Sequence, residues 1–232
     1  EEKTHPGGIS FTHDQGVVNN LSRPGYSTYE LYAKDDCFSH MTHEELVNFV
    51  LCASTYLHQT GDQTWAGRVA PVLEKCLTSL VNRDHPEPEK RNGIMGLDSD
   101  RTRGGAEITT YDSLDTSLGQ ARNNLYMAVK TWAAYVGLEA RLRELGLNEP
   151  ARQAGQQAER SAATIVSAAD EQGLLPGVMF ENNAARIIPA IEGLVFPAQM
   201  GRPEAVEADG PFGALIETLK GHVRQVLTPH AA

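Results

Sequence analysis

Residues 114–145, LDTSLGQARNNLYMAVKTWAAYVGLEARLREL, hold the longest helical pattern of the chain. Apolar residues recur there at three- and four-residue steps, which predicts an amphipathic helix that ends at Gly146. A following stretch rich in Ala and Gln, about 149–170, predicts a further helix. Its narrow face of small residues is suited to packing against the long helix, and the two therefore predict a helical pair.

A second helical pair is predicted upstream. Thr42 and Glu45 have the spacing of a capping box, and the apolar positions behind them predict a helix over about 42–60. Gly61-Asp62 predicts a turn, after which a second apolar stripe predicts a helix over about 63–82. The two helices are expected to pack as an antiparallel hairpin.

Shorter helical patterns and a long irregular segment complete the chain. Residues 187–196 predict a short buried helix and residues 212–226 a last amphipathic one, whereas residues 83–111 fit no single element. Helical hairpins joined by long, charged, Gly-rich loops favour an all-α toroid with its loops on one face, where chemistry is usually placed. The predicted fold is therefore all-α, with hairpins forming most of an (α/α)6 barrel that is incomplete in this chain.

Composition excludes several classes of function. The 232 residues include 20 Lys and Arg and 30 Asp and Glu, a net charge of −10, which argues against nucleic-acid binding because phosphates require a basic face. No apolar run approaches the length needed to span a membrane. Three widely spaced cysteines are typical of buried free thiols in a reducing compartment, and a cytoplasmic location is expected.

The densest polar cluster lies just before the long helical pattern. Residues 98–115 contain five carboxylates and two arginines, among them Asp112 and Asp115. Asp115 is suited to helix capping, because an acid in the first turn of a helix is favoured by the helix dipole. Asp112 follows a Gly-containing loop and Thr110-Tyr111, and it is the stronger candidate for chemistry.

Two further segments offer groups that could contact a ligand. His13-Asp14 stands between glycines, where the backbone can approach a sugar closely and a carboxylate can accept two hydroxyl hydrogen bonds. Glu192 is a lone acid in an apolar run, so if it is buried it requires a partner or a polar cavity, and an ordinary surface position is the alternative.

Other motifs do not support a cofactor or a metal. Cys37, His40 and His43 have a zinc-like spacing but no matching second pair of ligands, and no metal site is predicted. The sequence contains no phosphate-binding P-loop, no Gly-x-Ser-x-Gly elbow and no CxxC pair, which argues against the common nucleotide, serine-hydrolase and redox functions.

The sequence resembles glycoside hydrolase family 52, the β-xylosidases, over nearly its whole length. The resemblance rests on the segments GGISFTHD (7–14), CFSHMTH (37–43), KRNGIMGLDS (90–99), EITTYDSLDTSLGQARNNLY (107–126) and IIPAIEGLVFP (187–197). The family implies a β-sandwich domain followed by an (α/α)6 barrel. Residues 1–232 would then be part of one barrel catalytic domain, with the β-sandwich absent from this sequence.

The resemblance implies a retaining glycosidase that releases xylose from β-1,4-xylo-oligosaccharides and aryl β-xylosides without a cofactor. It makes Asp112 the general acid/base, with Asp115 as the alternative. His13 and Asp14 become sugar contacts by likeness to the related family 116, and Thr110, Arg122 and Glu192 are further candidates of the same kind. The expected partner is a xylo-oligosaccharide, not nucleic acid or a membrane, and a homodimer is left open.

One feature of the family is missing from the printed residues. Its glutamate nucleophile belongs to an Asn-Glu-Gly segment upstream of the GGISFTHD motif, and no such segment occurs here. The chain alone is therefore expected to be inactive. Two alternatives stay open: a helical sugar-binding module without catalysis, and an inverting hydrolase that uses Asp14 and Asp112 as base and acid.

Overall fold

The computed structural model describes residues 8–11, 13, 41–85, 87–96, 108–110 and 118–228. These residues fold as an all-α structure, and the β contacts among them are isolated bridges, Ile108 to Gln120 and Asn124 to Val178. The α-helices in the described ranges are α1 (Thr42–Thr60), α2 (Gln63–Asp84), α3 (Leu125–Glu144), α4 (Asn148–Ser167), α5 (Phe196–Gln199) and α6 (Gly213–Leu227). Short 3-10 helices lie at Pro88–Lys90, Pro189–Val195 and Pro203–Val206.

Helix α3 is the centre of the fold. Its side chains are buried on nearly every face, including those of Trp132 and Tyr135, which have no exposed area. It packs against α1, α2, α4, α5 and the 3-10 helix Pro189–Val195. A helix that is apolar all round is stable only when neighbours cover each of its faces, so α3 organises the helices around it.

The 3-10 helix Pro189–Val195 approaches the backbone of α3 unusually closely at Gly193. A Cβ atom built at Gly193 would lie 2.6 Å from the backbone oxygen of Val129. Only glycine permits that distance without a shift of one element. This contact brings Glu192, the residue before Gly193, next to Lys130, the residue after Val129.

Most of the predicted helices are confirmed. Helices α1 and α2 occupy the expected ranges and pack against each other across Gly61-Asp62, where the Asp62 side chain accepts a hydrogen bond from the Trp65 N–H. Helix α4 packs on α3 through Ala154, Ala158 and neighbouring small residues, as predicted. The last predicted helix is confirmed as α6.

The predicted start of the long helix at Leu114 is wrong, because α3 begins at Leu125. Asn123 has a positive φ of 54°, which is incompatible with a continuing helix. The side chain of Asn124 then accepts a hydrogen bond from the Met127 N–H and caps α3. Residues 118–124 are therefore a loop, although their apolar residues fit the helical period.

Three smaller expectations are also wrong. Thr42 is not an N-cap: it is the first residue of α1, Met41 precedes it, and the Thr42 hydroxyl accepts a hydrogen bond from Arg83. Cys52 is exposed, because it faces away from α3, whereas Cys76 is buried as predicted. The predicted short helix at 187–196 is a 3-10 helix with an exposed Val195. Cys37 lies outside the described residues.

None of the helices in the described ranges combines the length and the apolar character that crossing a membrane requires.

Candidate functional site

The first turns of α1 and α3 meet at a buried carboxylate. Glu44 lies in the first turn of α1, and 3% of its side chain is exposed. Tyr126, in the first turn of α3, donates a hydrogen bond from its hydroxyl to Glu44 Oε1 at 2.6 Å. The helix dipole of α1 favours a negative charge at this position, which partly offsets the loss of water around the carboxylate.

Thr110 is attached to the same carboxylate by two hydrogen bonds. Its backbone N–H donates to Glu44 Oε2 at 2.8 Å, and its hydroxyl donates to Glu44 Oε1 at 2.9 Å. Both oxygens of Glu44 therefore hold the segment that contains Thr110. Hydrogen bonds to an ionised acceptor are about twice as strong as neutral ones, so this attachment is a firm one.

Lys130 connects the buried carboxylate to a second one nearer the surface. Its ammonium group donates to the Tyr126 hydroxyl at 2.7 Å and lies 3.5 Å from Glu44 Oε1. It also lies 3.5 Å from Glu192 Oε1, and 41% of the Glu192 side chain is exposed. Lys130 itself is 4% exposed, so its charge is balanced by carboxylates on two sides.

The sequence prediction that Glu192 needs a partner or a polar cavity is thus confirmed, and the partner is Lys130. We refer to Glu44, Thr110, Tyr126, Lys130 and Glu192 as the Glu44 network. With Lys130 and the two glutamates ionised, the network carries a net charge of −1.

His43, the residue before Glu44, is part of the buried core. Its ring Nε2 lies 3.2 Å from the Thr131 hydroxyl, and the side chain is buried. Burial, with a smaller contribution from Arg83, lowers the pKa of His43 well below its usual value. The imidazole is therefore neutral at neutral pH. The other two residues of the zinc-like spacing, Cys37 and His40, lie outside the described residues.

The N-terminal segment reaches the same end of α1. Ile9 accepts a hydrogen bond from the Ser79 hydroxyl at 2.7 Å, and the ring of Phe11 stacks on Phe49 with 4.3 Å between centroids. His13 is exposed and acts electrostatically on Glu45. Burial raises the pKa of Glu45, while a hydrogen bond with Asn48 and the charge of His13 act in the opposite direction. His13 therefore lies near the N-terminus of α1.

Arg122 belongs to a separate cluster. Its guanidinium donates two hydrogen bonds to Glu181, at 2.8 and 3.0 Å, and Gln120 and Asn123 donate to the same carboxylate. The hydrogen bond from Arg122 is the main reason that the pKa of Glu181 falls to about 2. The Arg122 side chain is thus oriented by Glu181, and no contact among the described residues links it to the Glu44 network.

The apolar side of Tyr126 borders a cavity of about 330 Å³. Its lining is mostly apolar, with Arg186 as the charged group and Leu118, Ile187, Ile188 and Val226 among the rest. A cavity with this lining is better suited to an apolar group than to the hydroxyls of a sugar.

Of the predicted site residues, Thr110 and Glu192 belong to the Glu44 network, and His13 acts electrostatically on Glu45, the residue after Glu44. Asp112, Asp14 and Asp115 lie outside the described residues. Sequence reasoning missed Glu44, Tyr126 and Lys130. The position of Lys130 is the sequence feature that points to these residues. A lysine inside the apolar run of a central helix needs a buried counter-charge, which an acidic residue of another helix must supply.

Comparison with known proteins finds a matching family model and similar proteins. A family model described as glycosyl hydrolase family 52 matches residues 1–56. A protein named beta-xylosidase from Geobacillus stearothermophilus is 60% identical over 227 residues, which cover 98% of this chain and 32% of that protein. Another beta-xylosidase from the same organism is 50% identical over 182 residues, covering 78% of this chain and 28% of that protein. The chain thus spans about a third of the length of these relatives.

Proposed function

Since the chain belongs to glycosyl hydrolase family 52, we propose that it carries the acid/base part of a retaining β-xylosidase. The substrates are xylo-oligosaccharides and aryl β-xylosides, from which the enzyme releases xylose. The observation that carries this proposal is the 60% identity to a protein named beta-xylosidase over 98% of the chain. Residues 1–232 then form part of one (α/α)6-barrel catalytic domain, to which the helical hairpins α1–α2 and α3–α4 contribute.

Asp112 is the proposed general acid/base. As an acid it protonates the glycosidic oxygen while a glutamate, from an Asn-Glu-Gly segment outside the printed sequence, attacks the anomeric carbon. As a base it then takes a proton from the water that hydrolyses the xylosyl-enzyme. This cycle needs no cofactor, because two carboxylates supply both the proton transfer and the covalent intermediate.

The arrangement around Thr110 supports a sugar site at this place. Thr110 is exposed, precedes Asp112 by two residues, and is held at an end of α1 where His13 and Glu192 also lie. Charged and polar side chains at one exposed place suit the hydroxyl groups of a pentose. We propose His13, Asp14, Thr110 and Glu192 as sugar contacts. Arg122 is a weaker candidate, because Glu181 already binds its guanidinium.

The exposed thiol of Cys52 fits a reducing, cytoplasmic location, which we retain as part of the proposal. The proposal leaves a homodimer open and includes no nucleic-acid partner.

The test uses the complete protein that contains this chain, with the substitution Asp112→Ala. Loss of the general acid should lower kcat/KM for xylobiose far more than kcat/KM for dinitrophenyl β-xyloside, whose leaving group needs no proton. Equal losses on both substrates would contradict the assignment of Asp112. The variant Asp115→Ala serves as the matched control, and the larger leaving-group effect should belong to Asp112.

The second candidate function is a helical sugar-binding module without catalysis. It requires no Asn-Glu-Gly segment, and the polar side chains of the Glu44 network are the groups with which it would bind a sugar. It predicts saturable NMR shifts with xylose in a protein that releases no product from any xyloside. Turnover by the complete protein would exclude it, and the anomer that forms first would separate retention from the inverting alternative with Asp14 and Asp112.

A further inference from the structure

We infer that Glu44 is a positioning residue for the acid/base carboxylate. It holds Thr110 through two hydrogen bonds, and Thr110 precedes Asp112 by two residues. The inference rests on the proposed function, because it concerns the same site. It adds a residue that neither the sequence motifs nor the relatives' names assign to the reaction.

The first step of the argument is the geometry at Thr110. A backbone N–H and a hydroxyl on one residue donate to the two oxygens of one carboxylate, which fixes both the position and the orientation of Thr110. Thr110 is itself an exposed residue. A polar segment at the surface normally bonds to water, and here it is tied instead to a carboxylate buried at the start of α1.

The second step is the attachment of the neighbouring residues. The Thr109 N–H donates to the Gly119 carbonyl oxygen at 2.6 Å, and the buried Thr109 hydroxyl donates to the Leu118 carbonyl oxygen at 3.2 Å. The Asn124 side chain, which caps α3, also donates to the Leu118 oxygen, at 2.9 Å. Thr110 and Leu118, the described residues on the two sides of Asp112, are thus both attached to the helical core.

The third step is the reach of the chain. Two residues span at most about 7 Å, so a displacement of Thr110 changes where Asp112 can lie. General acid catalysis requires the carboxyl group within hydrogen-bond distance of the glycosidic oxygen. A residue that holds Thr110 in place therefore influences proton transfer without touching the substrate.

The fourth step is the support of Glu44 itself. The Tyr126 hydroxyl and the Lys130 ammonium group lie on its inner side, and both belong to the first two turns of α3. These groups come from the helix at the centre of the fold, so Glu44 links the exposed segment to that buried helix. The three hydrogen bonds from Tyr126 and Thr110 together orient the carboxylate.

The decisive variant is Glu44→Gln in the complete protein. A misplacement of about 1 Å costs on the order of 100-fold in rate, and we expect a loss of that order in kcat/KM for xylobiose. The loss in kcat/KM for dinitrophenyl β-xyloside should stay below about threefold, because kcat/KM reports formation of the xylosyl-enzyme and that leaving group needs no general acid. For dinitrophenyl β-xyloside, kcat and KM should fall together, because the same carboxylate is the base for hydrolysis of the xylosyl-enzyme.

Thr110 provides the second test, and it does not depend on a buried substitution. Thr110→Val keeps the shape and the N–H donor but removes the hydroxyl donor, so it should show the same selective loss in kcat/KM to a smaller degree. Thr110→Ser keeps both donors and should restore the rate on xylobiose. If Thr110 acted only as a sugar contact, Thr110→Val would instead raise KM for both substrates.

A matched control is Glu139→Gln. Glu139 is a partly buried carboxylate on α3 that pairs with Arg143 and Arg202. It lies nine residues beyond Lys130, the member of the Glu44 network furthest along α3, which is about 14 Å along the helix axis. Its removal should lower stability without changing the dependence of the rate on the leaving group.

The outcomes separate this inference from the proposed function. If Asp112→Ala shows no leaving-group selectivity, the proposed function fails. If Asp112→Ala shows it but Glu44→Gln and Thr110→Val slow both substrates equally, or slow neither, the positioning role of Glu44 is wrong while the proposed function stands. If Glu44→Gln does not fold, Thr110→Val alone decides between these results.

Discussion

The buried ammonium group of Lys130 supports one strong prediction about stability. The change Lys130→Met keeps the length and the apolar stem of the side chain and removes the charge. Glu44 then stays buried with Tyr126 and Thr110 as donors but without a cation. A buried carboxylate that loses its counter-charge is costly, so the variant should unfold more easily.

The size of the loss follows from distance and burial. At the 3.5 Å between Lys130 Nζ and Glu44 Oε1, two charges in an effective dielectric of about 20 attract by about 5 kcal/mol. Methionine also removes the cost of burying the ammonium group, which offsets part of that value, and we expect a net loss of about 3 kcal/mol. Glu192 contributes little, because 41% of its side chain is exposed to solvent.

The measurement is urea unfolding followed by circular dichroism, with Lys220→Met as the matched control. Lys220 pairs with Glu217 at the shorter distance of 2.8 Å, but both side chains are about half exposed, so the control should lose at most about 1 kcal/mol. Adding Glu44→Gln to Lys130→Met should cost little further. A loss for Lys130→Met no larger than that for Lys220→Met would refute the reasoning, because it would show that the buried pair contributes nothing.

Two further predictions concern other parts of the molecule. Gly93→Ala should destabilise the fold by at least about 3 kcal/mol in urea unfolding. Gly93 has a φ of 87°, and a Cβ atom there would lie 2.3 Å from the Ser161 backbone nitrogen. A variant as stable as the unmodified protein would contradict this close approach. The hydrogen bonds of Arg122 hold the pKa of Glu181 at about 2, below its ordinary 4.5. Because the folded-state pKa is depressed, the stabilisation relative to Glu181→Gln should be present above pH 4.5 and lost as the pH falls towards 2. It should amount to about 1 kcal/mol after screening by solvent, and an advantage that grows on acidification would contradict it.

Helix positions were predictable because they depend on local patterns. The apolar period and the Gly61-Asp62 turn place α1 and α2, and the row of alanines places α4 against α3. The start of α3 was not predictable from the period alone. A positive φ at Asn123 and a cap at Asn124 interrupt an apolar pattern that continues through the loop, and single positions of this kind carry little weight in a periodic signal.

The candidate site was predicted in part. His13, Thr110 and Glu192 are polar residues in segments whose composition differs from that of the neighbouring sequence. The expectation that Glu192 has a partner follows from the cost of burying a charge. Glu44 could not be assigned in the same way. It sits among polar residues at a helix start, and its partners Tyr126 and Lys130 lie more than 80 residues away in the chain. Only the packing of α1 on α3 shows that these side chains meet.

The most direct test of the account is azide rescue of Asp112→Ala in the complete protein, with dinitrophenyl β-xyloside as substrate. A retaining enzyme without its general base accumulates the xylosyl-enzyme, and a small anion that needs no deprotonation can then attack it. The account predicts faster turnover with azide and a β-xylosyl azide product, with no such effect on the unmodified enzyme. An absence of rescue, or an α-configured azide product, would contradict the assignment of Asp112 and of the retaining mechanism.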